Sequence, residues 1–182
     1  MDSTAGRLLV ASPLIGDPNF ERSVILMLEH SDDGALGLVL NNPSQMPLDE
    51  MLPQWTPLVS APSTFFFGGP VSPSSVIALG RVVGSPPADF KPVIGSVGPI
   101  DLHDDPTELA YALDQARAFA GYSGWGPRQL ESELAVDAWF VVDADPHDAF
   151  TTDPHGLWSF VLKRQSGPMS WLANYPEDPR MN

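Results

Sequence analysis

The sequence predicts a single mixed domain in which short apolar strands outnumber helices, and three observations support this. The chain has 182 residues, a length that suits one hydrophobic core. Residues 23–28 are apolar at every position after Ser23, residues 36–40 form a second apolar run, and the two strands are expected to span 23–30 and 35–41. Between them, Asp33 and Gly34 both tolerate the backbone of a tight turn, so we expect the two runs to pair as an antiparallel hairpin. No internal repeat or linker divides the sequence, so the predicted domain spans residues 1–182.

Further strands are predicted on either side of this hairpin. Residues 7–11 form a short apolar run before it, and residues 65–67 and 75–79 form two after it. Residues 138–142 are apolar at every position and are bounded by aspartates, which is typical of a strand buried on both faces. We therefore expect this last strand to lie in the centre of the sheet.

The longest helix is predicted over residues 105–120. Asp105 is a good N-cap, and Pro106 suits the first helical position. Apolar residues then follow at helical spacing up to Gly121, which would end the helix. Shorter helices are predicted over residues 48–52, 128–134 and 157–164.

Three polar residues flank or end the otherwise apolar strand predicted at 23–30, and they are the first candidates for function. Arg22 precedes the run, and Glu29 and His30 finish it. A charge that is buried without a partner is costly, so we expect a partner for each of them. They form either a structural ion-pair or hydrogen-bond network or a ligand-binding or catalytic cluster. Because side chains alternate along a strand, Glu29 and His30 are expected on opposite faces, and one pocket would not use both directly.

The composition narrows the possible chemistry. The sequence contains no Cys, which excludes disulfides, thiolate nucleophiles and Cys-ligated metal sites. Nine Lys and Arg against 23 Asp and Glu give a net charge of −14. Such a charge repels the phosphates of nucleic acids, so we expect no direct nucleic-acid contact. A basic protein partner is compatible with this acidity.

No cofactor, metal site or membrane segment is predicted. The Gly-Gly pair at 68–69 is followed by Pro70, whereas a phosphate-binding loop would need Lys and then Ser or Thr. The His-Asp-Asp sequence at 103–105 is interpreted as a helix cap rather than a metal site. The sequence shows no signal-peptide pattern and no apolar run of membrane-spanning length, so we predict a cytoplasmic protein.

A candidate anion site lies at the start of the predicted 128–134 helix. Backbone N–H groups at this end, with Arg128 and Gln129 beside them, could hold a small anion. The alternative is a tight structural turn, because the preceding residues are rich in Gly and aromatic side chains.

Several long strings in this chain resemble the YqgE/AlgH family of bacterial proteins. They are GRLLVASPLIGDPNFERSVILMLEH, GALGLVLNNP, FFFGGPV, GYSGWGPRQLESEL with Trp139 after it, and LWSFVLKRQ ahead of YPEDPRMN. The resemblance covers nearly the whole chain and implies an α+β fold, with a bent, partly barrel-like, mostly antiparallel sheet surrounded by helices. It implies no assigned reaction. Some members carry the label of transcriptional regulator, which describes a genetic effect and not contact with DNA.

This chain departs from the family pattern at two places. Members often have a His shortly after the strand at 75–79, where this chain has Gly80 and Arg81. Members usually have Gly where this chain has Arg128. A family-wide site that depends on either position is therefore not expected in this protein.

The favoured hypothesis is a non-enzymatic binding or regulatory protein that acts through a protein partner. Its basis is the acidic composition together with the lack of a complete catalytic motif. The alternative is a small-molecule-binding protein or an enzyme with a pocket near the 17–41 hairpin, and direct DNA binding is a weaker third hypothesis. The candidate residues for the pocket or polar network are Asp17, Asn19, Arg22, Glu29, His30 and Asn41.

Overall fold

A computed structural model describes residues 2–177, and the predicted domain at 1–182 extends beyond them at both ends. Within the described residues, nine strands form one mostly antiparallel sheet that does not close on itself. With the helices around it, this sheet confirms the predicted α+β class. The strands are β1 Arg7–Ala11, β2 Val24–Ser31, β3 Gly34–Val39, β4 Pro43–Pro47, β5 Thr64–Phe67, β6 Val71–Val82, β7 Val97–Ile100, β8 Leu113–Trp125 and β9 Trp139–Asp143.

The strand order places β8 in the interior of the sheet. The order is β4-β5-β8-β3-β2-β1-β9, and β6 pairs with both β8 and β7. Strands β5 and β8 are parallel, and the other strand pairings are antiparallel. The predicted hairpin is confirmed, with Ser31 opposite Gly34 at the turn between β2 and β3.

The helices between residues 2 and 177 are all short. The predictions at 48–52, 128–134 and 157–164 are confirmed to within a residue or two. The helices are α1 Leu48–Met51, α2 Pro106–Leu109, α3 Gln129–Ala135, α4 Leu157–Lys163 and α5 Pro168–Trp171, with 3-10 turns at Pro53–Leu58, Asp148–Phe150 and Leu172–Asn174.

The prediction of a long helix over 105–120 is wrong. The predicted start does form, since the Asp105 carboxylate accepts the Thr107 N–H at 2.8 Å, but α2 ends at Leu109. A turn at residues 110–112 follows, and residues 113–120 belong to β8, which is buried without interruption from Ala116 to Gly121. An interior strand that is covered on both faces shows no alternation, so its small apolar residues fit helical spacing equally well. Pairing with β3, β5 and β6 decides the outcome.

The prediction that residues 138–142 form a central strand is also wrong. The strand exists as β9, but it lies at one end of the strand order and pairs with β1. Its continuous apolar character arises because both faces are covered. Trp139 and Val141 pack in an apolar cluster on one face of the strand, and Phe140 and Val142 pack in a different cluster on the opposite face. Burial on both faces therefore does not require a neighbour on both edges.

The core of the described residues contains three apolar clusters, and two of them lie on opposite faces of β1. In β1, Leu8 and Val10 face the cluster covered by α4, whereas Leu9 and Ala11 face the cluster covered by α3. This alternation explains why β1 and β2 are apolar at almost every position. Trp158 of α4 is fully within the first cluster, and one face of its ring supports the side chain of Arg22.

Candidate functional site

Arg22 lies at the entrance to β2 with an unusual backbone conformation. Its φ is 55°, in the left-handed region that non-glycine residues seldom adopt. Asn41 fixes this conformation from the neighbouring chain segment. Its Nδ2 donates to the Arg22 carbonyl at 2.9 Å, and its Oδ1 accepts the Val24 N–H at 2.9 Å. Asn41 therefore supports Arg22 through the backbone.

The Arg22 guanidinium is held over an aromatic ring. Its Cζ lies 4.2 Å from the centre of the Trp158 ring, and the Trp158 Nε1–H donates to the Ala11 carbonyl at 2.9 Å. One Arg22 nitrogen donates to the Tyr175 carbonyl at 3.0 Å, and another lies 3.5 Å from Ser159 Oγ. Arg22 thus joins the start of β2 to the C-terminal segment of the described chain.

A cavity of about 300 Å³ opens beside this guanidinium, and we call it the Arg22 cavity. It is lined by residues from the loop at 12–22, by Trp158 and by residues 175–177. Asp17 is one of the lining residues, and Asn19 shapes it, because the Asn19 backbone and side-chain N–H groups both donate to Asp17 Oδ1. The structure therefore brings Asp17, Asn19, Arg22 and Asn41 together.

Glu29 and His30 lie elsewhere. Glu29 is exposed, and no hydrogen bond or ion pair among residues 2–177 uses its carboxylate. The expectation of a partner for Glu29 is therefore wrong, because the side chain stays in water and needs none. Neither residue lines the Arg22 cavity.

The buried side chain of His30 in β2 forms hydrogen bonds with two other segments, the N-terminal residues and α3. Its Nδ1 accepts the Thr4 backbone N–H at 3.1 Å, and its Nε2 lies 3.2 Å from Glu131 Oε1. Since a backbone N–H can only donate, Nδ1 carries no proton and Nε2–H donates to Glu131. The pKa of Glu131 is below its usual range, first because of a backbone hydrogen bond and then because of His30.

The Thr4 hydroxyl also lies 3.0 Å from His30 Nδ1, so the order carboxylate, imidazole, hydroxyl matches that of a catalytic triad. Two facts argue against catalysis. Thr4 is only 4% exposed, and its backbone N–H already occupies the imidazole nitrogen that would act as the base. We interpret the cluster as structural.

The carboxylate of Glu133 lies beside the candidate anion site at Arg128 and Gln129. Gln129 Oε1 accepts the Gly126 N–H at 3.0 Å, and its Nε2 donates to Glu133 at 3.1 Å. Arg128 is exposed at the start of α3, which has only seven residues. An anion would meet the negative charge of Glu133, so the site stays a prediction without geometric support.

Sequence reasoning missed the role of Glu133. One of its oxygens, Oε2, accepts both the Trp125 indole N–H at 2.9 Å and the Trp139 indole N–H at 2.8 Å. Phe20 packs against both rings, with centroid distances of 6.5 Å and 5.5 Å. The available signal was the GYSGWGPRQLESEL string, which contains Trp125 and Glu133 eight residues apart. The group is an aromatic cluster with a shared acceptor.

Sequence reasoning also missed Arg117, because the wrong helix prediction covered it. Its side chain is 0% exposed, and its Cζ lies 4.2 Å from the centre of the Phe66 ring. No carboxylate in the described chain contacts it; burial lowers the pKa of Arg117 to about 10. Its guanidinium donates to four backbone carbonyls, at 3.3 Å to Ser60, 2.7 Å to Ala61, 3.2 Å to Ala149 and 2.8 Å to Thr151.

A second and larger concavity, of about 1170 Å³, shares no lining residue with the Arg22 cavity, and we call it the acidic groove. Its walls come mainly from β6, from residues 85–90 and from residues 99–112. Apolar side chains stay in contact with solvent here, since Met51 is 64% exposed and Val76 is 44% exposed. Five carboxylates line the groove, from Asp89, Asp101, Asp104, Asp105 and Glu108.

No Lys or Arg is among the described residues that line the acidic groove, and His103 is the one basic side chain among them. His103 is held by Asp101, which accepts its backbone N–H at 2.9 Å and lies 2.8 Å from its Nδ1. These two contacts, in that order, lower the pKa of Asp101. The groove is therefore negative at neutral pH, with apolar surface between the charges.

Among residues 2–177, no three His, Asp or Glu side chains converge in an arrangement that could hold a metal ion. In the same part of the chain, no helix has the length and apolar character needed to cross a membrane.

Comparison with known proteins tests the family resemblance of the long strings described above. Residues 8–170 match the family described as AlgH-like. The chain belongs to the AlgH-like family. This AlgH-like chain is 44% identical to a UPF0301 protein of Streptomyces coelicolor over 187 residues, which covers 100% of the chain and 97% of the relative. It is 42% identical to a UPF0301 protein of Thermobifida fusca, with 99% and 96% covered.

Two solved structures share the AlgH-like fold. The crystal structure of a protein from Corynebacterium diphtheriae has a TM-score of 0.87 and 30% sequence identity, and the match covers 96% of this chain and 94% of that one. The solution structure of AlgH from Pseudomonas aeruginosa has a TM-score of 0.69 and 29% identity, with 97% and 96% covered. None of the names of these proteins states a reaction, so the function has to be argued from the site.

Proposed function

We propose that this AlgH-like protein is a non-enzymatic binding or regulatory protein that acts through a protein partner in the cytoplasm. We further propose that the acidic groove receives a basic, amphipathic segment of that partner. The absence of Cys suits a reducing compartment. Direct DNA binding is not proposed, because a net charge of −14 opposes contact with phosphates.

The observation that carries this proposal is the combination of charge and apolar surface in the groove. Five carboxylates face the groove without a Lys or Arg among the described lining residues, so a basic segment would be attracted to it. Exposed Met51 and Val76, together with Phe90 and Leu102, offer apolar contacts between the charges. Apolar contact in the centre and charges at the rim are the usual composition of a specific protein interface.

Three of the groove carboxylates can be changed without disturbing the fold. Asp89, Asp104 and Glu108 are exposed, and their side chains make no hydrogen bond or ion pair within residues 2–177. Asp101 and Asp105 are left unchanged because they accept hydrogen bonds from His103 and Thr107. The test variant is therefore D89N/D104N/E108Q.

A matched control comes from the turn between β2 and β3. Glu29, Asp32 and Asp33 are also exposed and also lack side-chain partners in the described chain. The control variant E29Q/D32N/D33N thus removes the same number of charges from residues that do not line the groove. Both variants change the net charge from −14 to −11, since each removes three carboxylates.

The experiment measures fluorescence anisotropy of a labelled synthetic Leu/Lys peptide with one apolar face. We expect the peptide to bind the parent protein, and the groove variant to bind it at least about tenfold more weakly than the control variant does. A Met51→Gln change should also weaken binding, because it removes apolar contact and keeps the helix propensity. Equal weakening by the two triple variants would contradict the proposal, since net charge alone would then explain binding.

A further inference from the structure

The Arg22 cavity has the features of a small-molecule site, and this inference is independent of the acidic groove. The guanidinium has five N–H donors, but within the described chain it makes only one well-formed hydrogen bond, to the Tyr175 carbonyl. The contact with Ser159 Oγ is at the limit of hydrogen bonding, and Glu177 Oε1 lies 4.0 Å from Nε. Donors therefore remain for a ligand, and the side chain is 25% exposed beside the cavity.

This guanidinium is preorganised. Trp158 lies under it, the Trp158 indole is hydrogen-bonded to Ala11, and Asn41 fixes the left-handed backbone of Arg22 from both sides. An arginine that is held in one position loses little freedom when it binds an anion. Planar, bidentate contact with a carboxylate is the interaction that its geometry favours.

The other charges around the cavity restrict the kind of ligand. Asp17, Glu21 and Glu177 line it together with Arg22. A simple anion would meet three carboxylates, and a simple cation would meet the arginine. A molecule that carries both charges would satisfy both sides. The volume of about 300 Å³ admits only a small molecule, and Pro13, Ile15 and Pro176 provide apolar walls for a side chain.

We propose that the Arg22 cavity binds a small zwitterion of the free α-amino acid class. The ligand carboxylate pairs with the Arg22 guanidinium above Trp158, and the ligand ammonium faces Asp17 and Glu21. An apolar ligand side chain contacts the proline and isoleucine walls. Glu177 has a distinct role, because its carboxylate lies near the same guanidinium and competes with that of the ligand.

The first experiment is calorimetric titration of the purified protein with each common L-amino acid in turn. We expect one or more with an apolar side chain to bind. Two analogues of each binder then test the two charges: the N-acetyl amino acid lacks the ammonium, and the amino acid amide lacks the carboxylate. Each should bind at least about tenfold more weakly than the free amino acid. If no free amino acid binds, or if the N-acetyl form binds as well as the free form, the proposal is wrong.

The second experiment uses variants that keep the fold. Arg22→Asn removes the guanidinium while keeping a residue that tolerates left-handed backbone, and it should abolish binding. Glu21→Gln should weaken binding about threefold or more, whereas Glu177→Gln should strengthen it, because the competing carboxylate is gone. The matched control, Asp33→Asn, removes a charge from an exposed turn and should leave binding unchanged.

The pair Glu21→Gln and Glu177→Gln keeps the proposal testable even if Arg22→Asn unfolds, because both side chains are solvent-facing at the rim. Opposite effects of the two changes support the assigned orientation. Weaker binding in Glu177→Gln, or no effect of Glu21→Gln, would overturn it. These measurements use no peptide, so their failure leaves the groove proposal untouched.

Discussion

Arg22 and Arg117 both hold a guanidinium 4.2 Å above the centre of an aromatic ring, but they differ in how their hydrogen-bond donors are used. Arg117 is 0% exposed and donates to four backbone carbonyls in two loops. Arg22 is 25% exposed and has one well-formed hydrogen bond to a backbone carbonyl in the described chain. Both guanidiniums therefore lie against an aromatic ring, but Arg22 has more capacity than Arg117 to bind a ligand.

This difference separates a structural arginine from a candidate binding arginine. Burial alone would have selected Arg117, whose pKa is lowered to about 10 and which lacks a carboxylate partner within residues 2–177. Its two terminal nitrogens already donate to carbonyls, and its Nε, which has no partner within residues 2–177, is sealed from solvent. Arg22 combines an ordered guanidinium with donors that face a cavity. Free donors that lie beside a cavity, more than the degree of burial, indicate where a ligand could bind.

The largest expected effect is that of Arg117→Met. The change keeps the apolar stem of the side chain and removes its hydrogen-bond donors. Four backbone carbonyls then lose their donor, those of Ser60, Ala61, Ala149 and Thr151. Carbonyls left unpaired in a buried position cost about 1–3 kcal/mol each when water cannot replace the donor, so we expect a total loss of about 3 kcal/mol or more in the free energy of unfolding. Urea unfolding measures it.

Arg117→Lys is the control for this prediction, because it keeps the positive charge and loses the planar set of donors. It should also destabilise the protein, since a lysine ammonium cannot reach the same four carbonyls. If Arg117→Met were as stable as the parent, the carbonyls would not depend on Arg117, and the contrast with Arg22 would disappear.

A smaller effect is expected for Arg22→Asn. One hydrogen bond to the Tyr175 carbonyl and the contact with the Trp158 ring are lost, and each contributes about 1 kcal/mol or less at a partly exposed site. We expect the free energy of unfolding to fall by about 1 kcal/mol, measured by urea unfolding without ligand. A loss as large as that of Arg117→Met would show that Arg22 is mainly structural, contrary to the comparison.

The structure around the hairpin could be predicted from the sequence because its determinants are local. Asp33 and Gly34 set the turn between two apolar runs, and the structure places Ser31 opposite Gly34 there. The start of α2 was predictable for the same reason, since Asp105 caps it. The segment after Leu109 was not predictable, because small apolar residues fit either period and the choice depends on the neighbours of β8 in the sheet.

The candidate site was predictable only in part. Arg22 is a polar residue beside an apolar strand, and the sequence offers Asp17, Asn19 and Asn41 as candidates for the same pocket. The ring and the carbonyl that position Arg22 come from Trp158 and Tyr175, which lie far away in the sequence and leave no local signal. The same holds for the acidic groove, whose walls are distant in sequence from one another.

The smallest effect is expected at a third arginine, Arg81, whose partner is a carboxylate. Its Nε–H donates to Asp114 Oδ1 at 2.9 Å, and a second nitrogen donates to Oδ2. The hydrogen bond from Arg81, more than its charge, holds the pKa of Asp114 below its usual range. The pair is partly exposed, so Asp114→Asn should cost only about 0.5 kcal/mol near neutral pH.

The pH dependence identifies the source of this small contribution. Because the pKa of Asp114 is lower in the folded protein than in the unfolded chain, its stabilisation is present above the usual aspartate pKa and is lost as pH falls through the folded value. The difference in unfolding free energy between the parent and Asp114→Asn should therefore shrink in urea unfolding as the pH falls below the usual aspartate pKa. Asp33→Asn, at an exposed turn, should show no such change. A difference that stayed constant with pH would mean that the carboxylate charge contributes nothing, and that hydrogen-bond donors alone distinguish the three arginines.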